Sequence, residues 1–331
     1  MHPQVTFYLP KSCFPNPTWE QAWRAKAPFP AERIIPPVFS AQNWIYQTWL
    51  LLNEAGVACE LATQMPSQGI VIALNSSIEV CGQWHHPIPR EVFFFDIVTQ
   101  SFVHPASHFH LVQNKKRARY LPDSLFVPHW PQPHLLPRDP TREDLFENAY
   151  FVGQNYQCHQ DIFSFEWVQQ VRRHVGLYVE MPSVESWHDY RTADVVIALR
   201  NFSRSRHFNK PATKLYNAWH AGVPFVGGKE SGYAAEGKIG KNYLQASSAS
   251  EMLAQLIRLK EDPAFRKQLV EQGRAASKRV STEAILQHWK FLVLEKLPAL
   301  AETFYQQSPR QRRNFLMRKK MIQFANRYFS I

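Results

Sequence analysis

Four cations crowd around Pro211 in the stretch NFSRSRHFNKPATKLYNAWHAGVPFVGGKES, residues 201–231: Arg204, Arg206, Lys210 and Lys214, with Arg200 just before them. Pro211 among them suits the first position of a helix, where its missing N–H is one of the four that lack a partner anyway. A helix opening at Pro211 points the amides of Ala212, Thr213 and Lys214 outward, and such a terminus carries about half a positive charge. Lysines beside it deepen the same well, so the chemistry on offer is the seating of a phosphate or diphosphate. The plainer reading is a solvated basic loop running into a capped helix. Glu230 and Ser231, directly after PFVGGK, likewise suit a helix cap.

What must position these residues is a parallel sheet. VTFYL (5–9), GIVIAL (69–74), EVFFFDIV (91–98), FHLVQ (109–113) and SLFVP (124–128) are short apolar runs bounded by turn residues, the signature of buried strands. SAQNWIYQTWLLLNEAG between the first two reads as a helix, with Ser40 as its cap and Gly56 at its end. From Pro128 to Pro140 five of thirteen residues are proline, which fits a hinge and neither helix nor central strand. The alternation then restarts: AYFVG (149–153), a helix over 160–175, LYVEM (177–181), DVVIALR (194–200), the helix near Pro211, PFVGG (224–228), YLQAS (243–247) and a helical region over 248–295. The expected fold is α/β, with two doubly wound Rossmann-like domains facing a cleft. Residues 1–135 form the first domain, 136–300 the second and 301–331 a basic amphipathic helix. The basic helix mouth follows DVVIALR, at the carboxyl edge of the sheet where such folds bind ligands.

A chain of 331 residues with 45% hydrophobic content supports two cores. Cys13, Cys59, Cys81 and Cys158 are scattered, which suggests neither a disulfide framework nor a cysteine zinc site. With no secretory signal pattern at Met1 and no apolar run near the roughly 20 residues of a membrane span, a cytoplasmic protein is expected. Of the net charge of +11, the tail 301–331 supplies +6, from seven Arg or Lys against Glu302. That pattern argues against a chain built to coat nucleic acid and for a local anionic partner.

NKPATKLYNAWHAGVPFVGGKES, followed by LKEDPAFRKQLVEQGR, resembles the donor-binding half of the GT-B glycosyltransferases over about residues 148–290. The family pattern is two acidic residues separated by seven others, then A-x-A-x-G-x-P-x-V and a helical D-P-x-x-R-x-x-L-x-x-x-G-R. Here the two acidic positions hold Asn209 and Asn217, amides that still hydrogen-bond a hydroxyl but carry no charge. FVGQNYQCHQ lacks the cations that the family places after the first strand of this domain. The resemblance therefore implies a nucleotide-sugar donor whose diphosphate is held by Arg200, Arg204, Arg206, Lys210, Thr213 and Lys214. It implies Asn209 and Asn217 on ribose or sugar hydroxyls, and Glu230 and Ser231 on the sugar or diphosphate. The nucleotide sugar is a substrate, and no further cofactor is implied.

Other patterns weigh less. GYAAEGKI (232–239) has phosphate-loop spacing but places Ile239 where a hydroxyl should bind magnesium. None of the eight aspartates forms Asp-x-Asp, so leaving-group stabilisation by cations and helix dipole, without metal, is expected. His104, His108 and His110 lie close in HPASHFH, with His85 and His86 nearby; a zinc site or half-buried structural groups are both open. Asp96 and His108, near strand ends, are the candidates for acid–base work on an acceptor hydroxyl. In the tail, a 100° wheel gathers Phe315, Met317, Met321, Ile322, Phe324, Ala325, Tyr328 and Phe329 on one arc, and Arg312, Arg313, Lys319, Lys320, Gln323, Asn326 and Arg327 on the other. That helix either packs on the first domain or lies on an anionic membrane face, and packing is preferred.

The expectation is a glycosyltransferase moving a sugar from a nucleotide sugar to a carbohydrate or lipid-linked acceptor hydroxyl. The alternative is an inactive relative that binds nucleotide sugar or glycan without turnover. A nucleic-acid binder is the third reading, and no nucleic acid is expected among the partners.

Overall fold

The computed structural model describes residues 4–13, 21, 25, 41–80, 83–84, 88–99, 103–154, 158–200 and 207–329, excluding the side chains of 79, 80, 83, 84 and 322–329. It divides into two compact units, residues 1–127 with 285–331, and residues 128–284.

The first unit is a six-stranded sheet of β1 (Val5–Tyr8), β2 (Glu60–Ala62), β3 (Gln68–Leu74), β6 (Glu91–Val98), β7 (Phe109–Val112) and β8 (Ser124–Phe126), in the order β2-β1-β3-β6-β7-β8. Every pairing is parallel. The two-residue strands β4 (Glu79–Val80) and β5 (Gln83–Trp84) form a separate antiparallel pair. The runs Ile70–Leu74 and Val92–Val98 are buried throughout, as strands covered on both faces must be. Asp96, one polar residue inside that run, pairs in register with His110. Strand β2 escapes the sequence reading because Glu-Leu-Ala has no β-branched or aromatic residue. The expected helix is present as a wide-turned segment, Gln42–Tyr46, continuing into Gln47–Glu54, and Gly56 ends it at φ 79°.

The chain returns to this unit at its C-terminal end. Trp289 packs on Phe7 with ring centroids 5.9 Å apart, the His288 ring donates to the Phe126 carbonyl at 3.0 Å, and Phe304 lies 5.3 Å from Phe93. These contacts move the boundaries from the expected 135 and 300 to 127/128 and 284/285. Helix Pro309–Phe329 packs here too, through Phe315 on Phe304.

The second unit is a five-stranded parallel sheet of β9 (Asn148–Tyr150), β10 (Tyr178–Glu180), β11 (Val195–Ala198), β12 (Phe225–Gly227) and β13 (Leu244–Gln245), in the order β10-β9-β11-β12-β13. Val195, Ile197 and Leu199 join Trp167, Val171 and Val175 of helix Phe165–Val175, and Met252, Leu256 and Leu259 of helix Ala249–Glu261, in one buried cluster. The amino edge of this sheet is fastened by buried Asp194. Its carboxylate accepts from Arg138 at 3.0 Å, Arg142 at 2.7 Å and the amides of Glu147 and Asn148 at 2.9 and 3.0 Å. Burial pushes the Asp194 pKa upward, but these donors outweigh it and hold the group below its ordinary value.

Among the described residues, no helix is long and apolar enough to cross a membrane.

Candidate functional site

In the second unit, β10 lies on one side of β9 and β11 on the other, so the chain leaves the carboxyl ends of β9 and β11 in opposite directions. Open α/β sheets bind ligands at such a switch point. Past β9 comes Gly153, past β11 come Leu199 and Arg200, and Cys158 is drawn alongside because the His159 amide donates to the Leu199 carbonyl at 2.9 Å.

Helix Thr213–Ala221 opens at this place, capped at its far end by Gly222 in the left-handed region, φ 71°. It begins two residues later than expected: Ala212 is the cap and Pro211 precedes it. The outward amides of the first turn are therefore those of Thr213, Lys214 and Leu215. Lys214 reaches from that turn to place its ammonium 3.9 Å from the centre of the Phe151 ring. A methyl group at Gly153 would stand 2.6 Å from the same nitrogen, so the lysine tip keeps this place only beside a glycine. Lys214 is half-buried, and among the described residues it makes no ion pair. Burial foremost, with Arg200 adding repulsion, pushes its pKa down to about 7, and Glu230 opposes that fall. Lys210, crowded by burial and by Arg200, is pushed down to about 8.

Arg200 is tied to Glu230, Nε to Oε2 at 3.1 Å. Glu230 is only 4% exposed, and its other oxygen, Oε1, has no hydrogen-bond partner among the described residues. The hydroxyl of Thr213 and Nε2 of His207 are also enclosed without partners there. Buried polar atoms are rarely left so unless a ligand or water completes them. Gly232 fits the second helix start, Ser231–Glu236, closely against the first: a methyl at Gly232 would lie 3.0 Å from the Lys210 carbonyl. Arg200, Lys210, Thr213, Lys214 and Glu230 are thus one group of three cations, a hydroxyl and one half-satisfied carboxylate. Chemically such a group can seat an anion that also offers a hydroxyl to Glu230.

The remaining expected ligands sit differently. Ser231 is buried as the first residue of the second helix start, and Asn209 lies half-buried in the turn before Lys210. Asn217 is buried a turn deeper, its amide oxygen accepting from the Gln132 amide at 3.2 Å. Arg204 and Arg206 lie outside the described residues.

Asp96 and His108 belong to the first unit and are enclosed there. Asp96 accepts from His110 Nδ1 at 2.6 Å and from the His104 amide at 2.7 Å, and His110 Nε2 in turn accepts from Lys319 at 2.7 Å. His108 accepts from the Phe94 amide at 3.0 Å, between Phe93 and Phe304 at 4.4 and 4.7 Å. Burial foremost, then Lys319, pushes the His108 pKa down to about 3. Its lone pair is already taken, which corrects the expectation that it faces an acceptor. Among the described residues no three His, Cys, Asp or Glu groups are placed to hold one metal ion. The GYAAEG stretch is helical over Ser231–Glu236, so it makes no phosphate loop.

Gly153, His207 and the orphaned oxygen of Glu230 were not legible as a set. The signal for Gly153 is a glycine just past a strand end; His207 is marked only by its backbone, φ 46°, a strained region for a non-glycine residue.

Residues 142–290 match a sequence model of the family described as glycosyl transferase-like. A search of curated proteins by sequence finds no match. Among solved structures, the pneumococcal O-GlcNAc transferase GtfA, in complex with UDP and GlcNAc, aligns at TM-score 0.52 and 13% identity, covering 76% of this chain and 60% of GtfA. A glycosyltransferase from Rickettsia africae aligns at 0.50 and 8% identity, covering 90% of this chain and 98% of that one. HepE of Anabaena, in complex with UDP, aligns at 0.48 and 13%, covering 89% and 100%. The chain spans 54% of the length of TarM, another similar structure. Most of the second unit thus falls within the segment similar to the glycosyl transferase-like family, and the chain shares the α/β fold of the GT-B glycosyltransferases.

Proposed function

We propose that the chain is a glycosyltransferase that moves a sugar from a nucleotide-diphosphate sugar to an acceptor hydroxyl, with the donor seated at the switch point of the second unit. The observation that carries this reading is the group of Arg200, Lys210 and Lys214 around the half-satisfied Glu230, inside the segment that matches a glycosyl transferase-like family. The GtfA structure, in complex with UDP, supports a uridine nucleotide as the first donor to test.

In this reading the diphosphate lies across the first turn of helix Thr213–Ala221, against Lys210 and Lys214. Charge grows on that diphosphate as the glycosidic bond breaks. Cations fixed in advance around a water-poor site stabilise it there more than they stabilise the ground state. The free oxygen of Glu230 accepts a donor hydroxyl, and Arg200 holds that carboxylate in place. Leaving-group stabilisation rests on these cations and amides rather than on a bound metal. Asn209 lies close enough in sequence to take a further hydroxyl, whereas Asn217 acts through Gln132, as a tie to the Pro-rich segment. No acid–base role is assigned to His108.

The acceptor is a carbohydrate or a lipid-linked glycan, met in the cytoplasm or at the cytoplasmic face of a membrane through residues 310–331. A second reading, a relative that binds nucleotide sugar without turnover, is favoured by the engaged amide of Asn217, where the family places a free carboxylate. Donor hydrolysis separates the two. Release of nucleotide diphosphate from UDP-glucose or UDP-GlcNAc, lost in Glu230→Gln, supports the enzyme. Tight binding with no release across many acceptors supports the second reading.

A further inference from the structure

The C-terminal helix is fixed with an unexpected face inward. At 100° per residue, Arg312, Phe315, Leu316 and Lys319 share one arc, and Arg310, Arg313, Asn314, Met317, Lys320 and Met321 share the opposite one. The first set is the one that packs. Phe315 lies 5.6 Å from Phe304 and 6.4 Å from the His108 ring, and the ammonium of Lys319 is buried 2.7 Å from His110 Nε2. Arg318, on the flank, is held by Asp123 at 2.9 Å. The expected wheel placed Met317 and Met321 with Phe315, and Lys319 among the solvated cations. The structure reverses this: Lys319 is 7% exposed, Met317 54% and Met321 69%. Turning the methionines inward would strip Lys319 from the Asp96–His110 chain, leaving the buried Nε2 of His110 without its donor.

The outward face therefore carries three cations, no acid and two thioethers, all exposed. Solubility alone explains the cations but not the two large apolar side chains set between them. We infer that this face docks on an anionic lipid surface. Arg310, Arg313 and Lys320 meet the headgroups while Met317 and Met321 enter the acyl boundary shallowly. Duplex nucleic acid matches the charge but gives the thioethers nothing to bury in. This surface lies outside the donor seat, so its failure leaves the donor reading untouched.

The test is co-sedimentation of the full chain with vesicles of phosphatidylglycerol mixed into phosphatidylcholine, and with phosphatidylcholine alone. Binding is expected to the anionic vesicles only, weakening with salt. Arg310→Gln, Arg313→Gln and Lys320→Gln combined lower it by about a hundredfold, at roughly fivefold per charge. Met317→Ser with Met321→Ser lowers it by roughly tenfold and keeps the salt dependence. All five positions are exposed, so far-UV circular dichroism of the variants should match the wild type. Equal binding to both vesicle types, or none to either, overturns the inference. So does a methionine variant that binds like the wild type, or duplex DNA competing at an affinity the methionines do not affect.

Discussion

The ammonium of Lys214 rests 3.9 Å from the centre of the Phe151 ring, in space that a side chain at position 153 would occupy. Gly153→Ala therefore displaces a lysine tip rather than backbone. Nucleotide diphosphate affinity should fall by about tenfold, the scale of one charged hydrogen bond, with the melting temperature shifted by no more than a few degrees. Calorimetry and thermal melts on the same variant check both. A large loss of stability would show that Gly153 serves the backbone instead.

The depressed lysines set a pH dependence. With Lys214 near 7 and Lys210 near 8 in the free protein, fewer ammonium groups await the anion as pH rises. Affinity for a nucleotide diphosphate should weaken between about pH 7 and 9, while the phosphate's own charge stays constant above its last pKa. Stability runs the other way. A lysine whose folded pKa lies below the unfolded value of about 10.4 leaves the unfolded state holding more protons, so stability rises with pH between the two values. Lys214→Met should flatten both profiles, measured by titration calorimetry and by urea melts across that range.

Asp194 makes a separate claim about the scaffold. Removing its charge leaves Arg138 and Arg142 without their shared carboxylate, and Asp194→Asn should cost about 3 kcal/mol by urea denaturation. Because donors hold the Asp194 pKa low, that stabilisation is present above the unfolded carboxylate value and is lost as pH falls through the folded one. An Asn variant as stable as the wild type would refute the role given to this cluster.

The parallel sheets were legible because their strands are continuous Val, Ile and Phe runs, and Val92–Val98 needs no partner to be recognised as buried. The proposed anion seat was suggested by the cations around Pro211. Its completion was not, since Gly153 lies some fifty residues before the segment's start and meets it only through the pairing of β9 with β11, while the tie of Glu230 to Arg200 depends on the neighbouring β12. The tail misled for a related reason. Helical periodicity finds an apolar arc, but a buried carboxylate and histidine on β6 and β7 chose Lys319 for the inside. Asp96 and His108 looked catalytic by residue type, and only their partners identify them as internal.

His108 offers a clean check of that last point. His108→Phe keeps the aromatic packing and loses only the acceptor for the Phe94 amide, a cost of about 1–3 kcal/mol. Turnover at saturating substrate should stay within about threefold of wild type, since a missing general base typically costs at least a hundredfold. A loss on that larger scale, in a folded variant, would restore the acid–base assignment.

The account stands most directly on nucleotide binding at the Lys214 seat. Thermal shift with UDP, GDP, ADP and CMP, and with their sugars, in EDTA, on wild type and Lys214→Ala, measures it. Ligand at about a hundred times its dissociation constant stabilises the native state by roughly 2.7 kcal/mol. The account expects one nucleotide diphosphate to raise the wild-type melting temperature and the alanine variant to lose that rise while keeping its own fold. A wild type that no nucleotide shifts, or a variant that shifts as far as the wild type, would contradict it.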